Sequence, residues 1–236
     1  MEFSKLSAPS LKELFVRQIQ SKILAGELRP GTQLPPEREL AEQMQVSRAV
    51  VNGGLKELAR QGFLTVSPRI GTVVADYRRA GTIETLLAIM KFQGQVLGKR
   101  EIASLLEVRR ALEQLAVRLV IRSATDREIG ELEHFLEKLS GAKDDDEAAE
   151  LAYEFHHSLM LVSGNTILPL LYCSCRDPII SLWKQYVGRY GLAALLRNME
   201  KLCYFLSRRD EAGALHWIDT YLEECISGSR QLTGDP

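Results

Sequence analysis

From Thr82 to the C-terminus, no alternation of apolar and polar residues survives for more than four residues, while apolar side chains recur at three-and-four spacing. A stretch of roughly 150 residues patterned this way can bury its apolar faces only helix against helix. Gly98, Thr125-Asp126, Gly141, Gly164-Asn165, the Gly188 to Gly191 segment and Arg209-Asp210 punctuate it. They divide it into expected helices at about 83–93, 99–123, 125–140, 145–163, 165–187, 191–208 and 211–230. The connections are short, so neighbouring helices run antiparallel in a bundle of six or seven. The acidic run Asp144-Asp145-Asp146-Glu147 reads as a solvated helix start that suits the helix dipole.

The first eighty residues follow another pattern. Leu11, Leu14, Phe15, Ile19, Ile23 and Leu24 define one amphipathic helix, closed by Gly26 and the Arg29-Pro30-Gly31 turn. Pro35-Pro36 opens a short second helix to about Met44, with Glu37 and Glu39 at its positive end. Ser47 caps a third helix to about Gln61, whose inner face is Val51, Leu55 and Leu58. Two β-rich runs, Phe63 to Val66 and Gly71 to Val74, flank Ser67-Pro68-Arg69-Ile70 as a hairpin. Three helices plus a hairpin, with a tight turn between helices two and three, predict a winged helix-turn-helix. The fold class is therefore mainly α: an N-terminal winged helix-turn-helix at 8–77, a linker at 78–82 and an all-helical body at 83–232.

Charge is divided along the same line. The formal net charge of -1 conceals +4 over residues 1–79 and -5 over the remainder. A basic head on an acidic body suits a nucleic-acid-binding module joined to a sensor. With 45% apolar residues and little net charge, disorder is excluded for most of the chain. The longest apolar runs are about five residues, far short of the ~18 that cross a bilayer, and residues 1–10 lack the core of a secretory signal. A cytoplasmic protein with no membrane partner is expected. Cys173 and Cys175 have no second pair at ligand spacing and read as two buried thiols.

Leu34-Pro-Pro-Glu-Arg-Glu-Leu-Ala41, Val46-Ser-Arg48, Leu55-x-x-Leu58-x-x-x-Gly62 and Gly71-Thr-Val-Val74 together resemble the N-terminal signature of the GntR transcriptional regulators. The resemblance implies operator binding, with Arg38 and Arg48 contacting DNA. Physically, both arginines stand at positive helix ends, where phosphates are attracted; the bland alternative for Arg38 is an exposed pair with Glu42. Ser47 either caps only or also meets a phosphate. The expected DNA-facing set is Arg38, Ser47, Arg48, Ala49, Asn52 and, in the wing, Arg69. Where the family usually has Arg-Glu-Ala after Val51, this chain has Asn52-Gly53-Gly54. An amide there can pair with adenine, and two glycines should loosen the recognition helix.

The body resembles the FCD effector domain of the FadR-like subfamily, through Leu106-Glu-Val-Arg-Arg-Ala-Leu-Glu113, Glu154-Phe-His156, Ser163-Gly-Asn165 and Arg209-Asp-Glu-Ala212. The resemblance implies a homodimer with a small-molecule pocket, an organic acid or an acyl-coenzyme-A-like effector, and a short palindromic operator. Many members hold a metal with an aspartate and three histidines; at those positions this chain has Ala152, His156, Met199 and Tyr221. One imidazole cannot make that site, so no metal or other cofactor is expected. The candidate effector residues are Arg109, His156, Asn165, Tyr221 and Glu224. Arg109 either clamps an anion or pairs with Glu113 one turn on; Trp183, Tyr186 and Trp217 line a pocket or fill core. Two rivals stand beside the regulator: an all-α metal-dependent enzyme with an accessory winged helix, and a winged helix that binds protein.

Overall fold

The computed structural model describes residues 9–67, 71–93 and 99–232. The chain divides into two compact units, the boundary falling between Phe92 and Gln93.

In the first unit, α1 (Leu11–Leu24) is fixed at its start by a reciprocal capping box between Ser10 and Glu13. Helix α2 (Glu37–Met44) ends on Gln45 in the left-handed region, φ 52°, which turns the chain into α3 (Arg48–Arg60). Strands β1 (Leu64–Ser67) and β2 (Gly71–Val74) pair antiparallel, from Leu64 opposite Val74 to Ser67 opposite Gly71. The first strand begins one residue later than the sequence reading, because Phe63 is fully buried and its N–H donates to Leu58 O. The Arg29-Pro30-Gly31 turn leads into more than a turn: Gly31 N and Leu34 N donate to Val74 O and Thr72 O, and Gln33 bridges Val73. This lays a third extended segment beside the wing. Phe15, Ile19, Leu40, Val51, Leu58, Phe63 and Val74 form the core of the unit.

The segment expected to be a linker contains the short helix α4 (Tyr77–Ala80), and α5 (Ile83–Gln93) follows. Ala88 and Ile89 of α5 pack on the winged-helix core, so this helix belongs to the first unit and not to the helical body. Gly62 helps to seat it: its φ is +77°, and a Cβ there would lie 2.7 Å from Thr85 Oγ1.

The second unit contains α6 (Lys99–Ser123), α7 (Asp126–Ser140), α8 (Asp145–Val162), α9 (Leu168–Ser174), α10 (Arg176–Tyr190), α11 (Leu192–Ser207) and α12 (Glu211–Ile226). Helix α6 packs on α8 and α12, α8 on α7 and α10, and α11 on α7 and α12. The single helix read at 165–187 is two, broken at Cys175, whose φ and ψ of -104° and 19° leave the helical region. That break also corrects the thiol reading, since Cys175 is buried but Cys173 is exposed. Arg209, itself at φ 56°, donates to Val120 O and Ile121 O and pairs with Asp126 at 2.6 Å, closing the carboxyl end of α6. No described helix is long and apolar enough to cross a membrane.

The two glycines of α3 differ in what they do. A Cβ on Gly54 would meet Phe15 Cε1 at 2.8 Å and overlap the ring more closely still, so the bare backbone is what lets α1 and α3 touch. The expectation of a loosened helix is therefore corrected at Gly54, where the lost propensity is returned as packing. A Cβ on Gly53 would meet only Lys12 Cδ, at an ordinary 3.6 Å. Opposite outcomes are expected by chemical denaturation: Gly54→Ala should destabilise the first unit by about 1–3 kcal/mol through overpacking, and Gly53→Ala should stabilise it by up to ~1 kcal/mol. Equal effects would refute this division.

Candidate functional sites

On the first unit, the turn between α2 and α3 gathers the basic residues singled out in the sequence. Arg38 is largely exposed; its Nε lies 3.3 Å from Glu42, a pair in full solvent that holds it weakly. Ser47 Oγ accepts from Val50 N at 3.3 Å and so caps α3, while its exposed side leaves the hydroxyl free to turn outward. Arg48 and Ala49 are exposed in the first turn of α3. Both arginines thus stand beside unsatisfied N–H groups at helix starts, a cationic surface suited to phosphate. Asn52 is less free than a base reader should be. Its Nδ2 donates to Glu37 Oε1 at 2.9 Å, half-buried, tying α3 back to the start of α2. Arg69 lies outside the described residues.

In the second unit, α6 sends Arg109 and Glu113 into the interior one turn apart, and both are almost fully buried. Arg109 Nε donates to Glu113 Oε1. Tyr221, from α12, donates its hydroxyl to the other oxygen of the same carboxylate. From α8, His156 Nε2 lies 3.2 Å from Arg109 Nη2, and its Nδ1 is 2.8 Å from Ala152 O. A guanidinium can only donate, so Nε2 accepts and Nδ1 carries the proton: His156 is neutral. The Trp183 indole, from α10, covers the guanidinium at 3.9 Å and stacks on His156 at 5.1 Å.

Electrostatics follow from this packing. Burial is the strongest influence on the Glu113 carboxyl and would raise it, but the Arg109 charge, the neighbouring His156 and the hydrogen bonds from Tyr221 and Arg109 together hold the group below the usual carboxylate range. Burial pushes His156 down to about 4 against the upward pull of Glu113. Burial also drives the Tyr172 and Tyr221 hydroxyls up, so both stay protonated.

Three of the five candidate effector residues, Arg109, His156 and Tyr221, converge here. Asn165 does not: its Oδ1 accepts from Ile167 N and Leu168 N and shapes the turn into α9. Glu224 lies instead in an outer groove, 3.6 Å from Arg230. Glu113, weighed in the sequence only as a partner for Arg109, is the centre of the cluster; its position one turn from Arg109 was the available signal. Trp183 and Tyr186 are buried, whereas Trp217 is half-exposed and lines the outer groove.

The residues present do not fit the divalent ion of the FCD resemblance. Ala152 has no donor, Tyr221 is committed to Glu113, and the imidazole nitrogen a metal would need faces a guanidinium. Among the described residues, no three histidine, cysteine or acidic side chains are grouped to hold a metal.

Two outcomes are expected from stability measurements. Glu113→Gln leaves Arg109 buried without its counter-charge and should lower unfolding free energy by about 3–5 kcal/mol. In a pH titration, the unfolded chain binds a proton near pH 6.5 that folded His156 refuses until about 4. Stability should therefore be complete above about pH 6.5 and fall by roughly 2 kcal/mol as pH drops to 4.5. Glu113 extends the fall at lower pH, because its lowered value gives stability that disappears as the carboxylate protonates. His156→Gln should flatten the segment between 6.5 and 4.5; an unchanged slope would show that the histidine is not its source.

Comparison with known proteins adds the family. Residues 11–74 match the model of bacterial regulatory proteins of the gntR family, and residues 104–224 match the FCD domain. An uncharacterized HTH-type transcriptional regulator of Mycobacterium tuberculosis is 33% identical over 213 residues, 89% of this chain and 86% of its own. A fatty acid metabolism regulator protein of Proteus mirabilis is 26% identical over 196 residues, 83% of this chain and 80% of its own. Among solved structures, Lar of Listeria monocytogenes superposes with a TM-score of 0.61 at 14% identity, over 96% of this chain and all of that one, a likeness of fold. The chain belongs to the GntR family of bacterial transcription regulators and carries an FCD domain.

Proposed function

We propose that this regulator binds operator DNA through the α2–α3 turn and that a small metabolite bound within the helical bundle controls its operator affinity. The observation that carries the first half is the pair of exposed arginines at successive helix starts, Arg38 and Arg48, on a unit whose sequence is net basic. Ser47 and Ala49 complete the DNA-facing surface. Asn52 acts first as a strut to Glu37, and its reading of adenine requires release from that bond.

The second half is supported by the buried polar cluster of Arg109, Glu113, His156 and Tyr221, an arrangement suited to recognition. It favours binding over turnover, because both His156 nitrogens are engaged and among the described residues of the cluster no nucleophile sits against a free base. A twofold dimer is part of the reading: Val108 and Leu115 expose apolar surface along α6 that a second copy would cover. Such a dimer would favour a palindromic operator. An effector that prefers the DNA-incompetent arrangement would release the operator by population shift.

The test is selection of a duplex from a random-sequence pool, followed by anisotropy titrations across salt. Arg38→Ala with Arg48→Ala should weaken binding to all duplexes and reduce the slope of log affinity against log salt by about 4 for the dimer, two contacts from each protomer. Equal binding by the double variant, or no duplex selected even at low salt, would overturn the proposal.

A further inference from the structure

We infer that the outer groove between α11 and α12 is a binding site for a small aromatic anion, a carboxylate or phosphate carried on a flat ring, held by Arg197, Lys201 and the face of Trp217. The site is separate from the buried cluster and stands whether or not that cluster takes a metabolite.

An anion binds where a cation has not already been answered. In the buried cluster Arg109 is committed to Glu113. In the groove, Arg197, Lys201 and Arg230 stand against Glu200 and Glu224. Glu224 and Arg230 face each other at 3.6 Å and cancel. Among the described residues neither Arg197 nor Lys201 has a carboxylate partner, so Glu200 stands opposite two uncommitted cations and one positive charge is left over. The groove has a volume of about 570 Å³, which suits a small molecule.

Its walls are fixed from below. Asn198 lines the groove and is almost fully buried. Its backbone oxygen accepts from Trp217 Nε1 at 3.0 Å, and its Nδ2 donates to Tyr186 Oη at 3.0 Å. Arg230 Nη1 donates to the same hydroxyl at 2.8 Å. The Trp217 indole and the Arg230 guanidinium are therefore anchored, directly or through Tyr186, to one buried residue. A ligand meets them in place, and little ordering is required of them on binding.

The indole decides the shape of the ligand. Trp217 is half-exposed, and the Lys201 ammonium lies 4.1 Å from its ring centre. An exposed cation–π contact is weak, whereas a charge-assisted hydrogen bond to a carboxylate or phosphate is stronger. Lys201 can thus leave the ring for the anion, and the ring face it covered then receives a flat apolar group. Arg197, exposed and one turn before Lys201 on α11, reaches the same anion.

The experiment uses the full chain at about pH 7.5, where carboxylates are ionised. Calorimetric titration compares benzoate and phenyl phosphate with uncharged benzamide and with cyclohexanecarboxylate, an anion without a flat ring. At least one aromatic anion should bind about tenfold or more tightly than benzamide, and more tightly than cyclohexanecarboxylate. The double variant Arg197→Gln, Lys201→Gln should weaken that binding about tenfold or more, while the ligand-free melting temperature stays within about 2 °C because no ion pair is lost. Glu200→Gln removes the opposing charge and should strengthen binding about threefold. Benzamide that binds as well as benzoate, no binding by either aromatic anion, affinity unchanged in the double variant, or weaker binding by Glu200→Gln would each overturn the inference. Operator affinity does not enter these measurements, so failure here is distinct from failure of the regulatory reading.

Discussion

The buried pairing of Arg109 with Glu113 is the constraint on which the helical unit depends. A guanidinium with almost no solvent is tolerable only if its charge is answered and its donors are occupied. Glu113 answers the charge from the next turn of α6; His156 and Tyr221, brought by α8 and α12, complete the donors and acceptors; Trp183 of α10 covers the flat face. Four helices are thereby fixed around one ion pair. Apolar packing would hold them together without it, but would not specify which turn of α8 faces which turn of α6. That Arg109 and Glu113 share a helix matters too, since their pairing survives small shifts of the neighbouring helices while the contacts to His156 and Tyr221 do not.

In the DNA-binding unit the corresponding constraint is an absence of side chain. The Phe15 ring packs against the backbone of α3 at Gly54, and that contact sets how close α1 and α3 stand. Asn52 adds a second tie, from α3 to α2 through Glu37. The Asn-Gly-Gly run that departs from the family pattern is thus a packing device on its buried side. If the unit binds operator DNA as proposed, this run would act on operator choice through the angle at which α3 is presented as well as through the base contacts of Asn52.

Most of the architecture was legible in the chain because its signals are local. Helix periodicity, the Ser47 and Thr125 caps and the Asp144 cap each declare an element within a few residues, and the helices at 99–123 and 83–93 stand where the spacing puts them. The errors lie where a local pattern has a distant cause. The break at Cys175 is an exception with a local signal: Pro178, in the first turn of α10, has no N–H to offer Ser174 O and so starts a new helix where a continuous one would fail. Helix α5 carries an ordinary amphipathic pattern, and only the three-dimensional fit of Ala88 and Ile89 assigns it to the winged-helix core. The inner cluster was half legible: i to i+4 spacing joined Arg109 to Glu113, and a family resemblance marked His156 and Tyr221. Trp183 was legible only as pocket or core, because nothing in one dimension shows which guanidinium an indole will cover.

A sealed, internally neutral cluster also constrains how a signal can arise. A ligand shifts the fold only by as much as its affinities for two arrangements differ, however open its pocket is beforehand. The crevice bordered by His156, Trp183, Asn198, Met199, Leu202 and Tyr221 admits no water, so a metabolite bound there, as proposed, would require α8, α10, α11 or α12 to move. Such a ligand would bind only the rearranged state, which is the condition for large differential affinity: moving a population from 1:99 to 99:1 takes a preference of about 10⁴ between states. The hydrogen bonds that close the cluster, Trp217 to Asn198 and Tyr221 to Glu113, would then be lost or redirected on binding and would set how far the resting state is favoured. Affinity and responsiveness would therefore be opposed in this fold. Each hydrogen bond that closes the crevice weakens ligand binding and enlarges the change the ligand can produce.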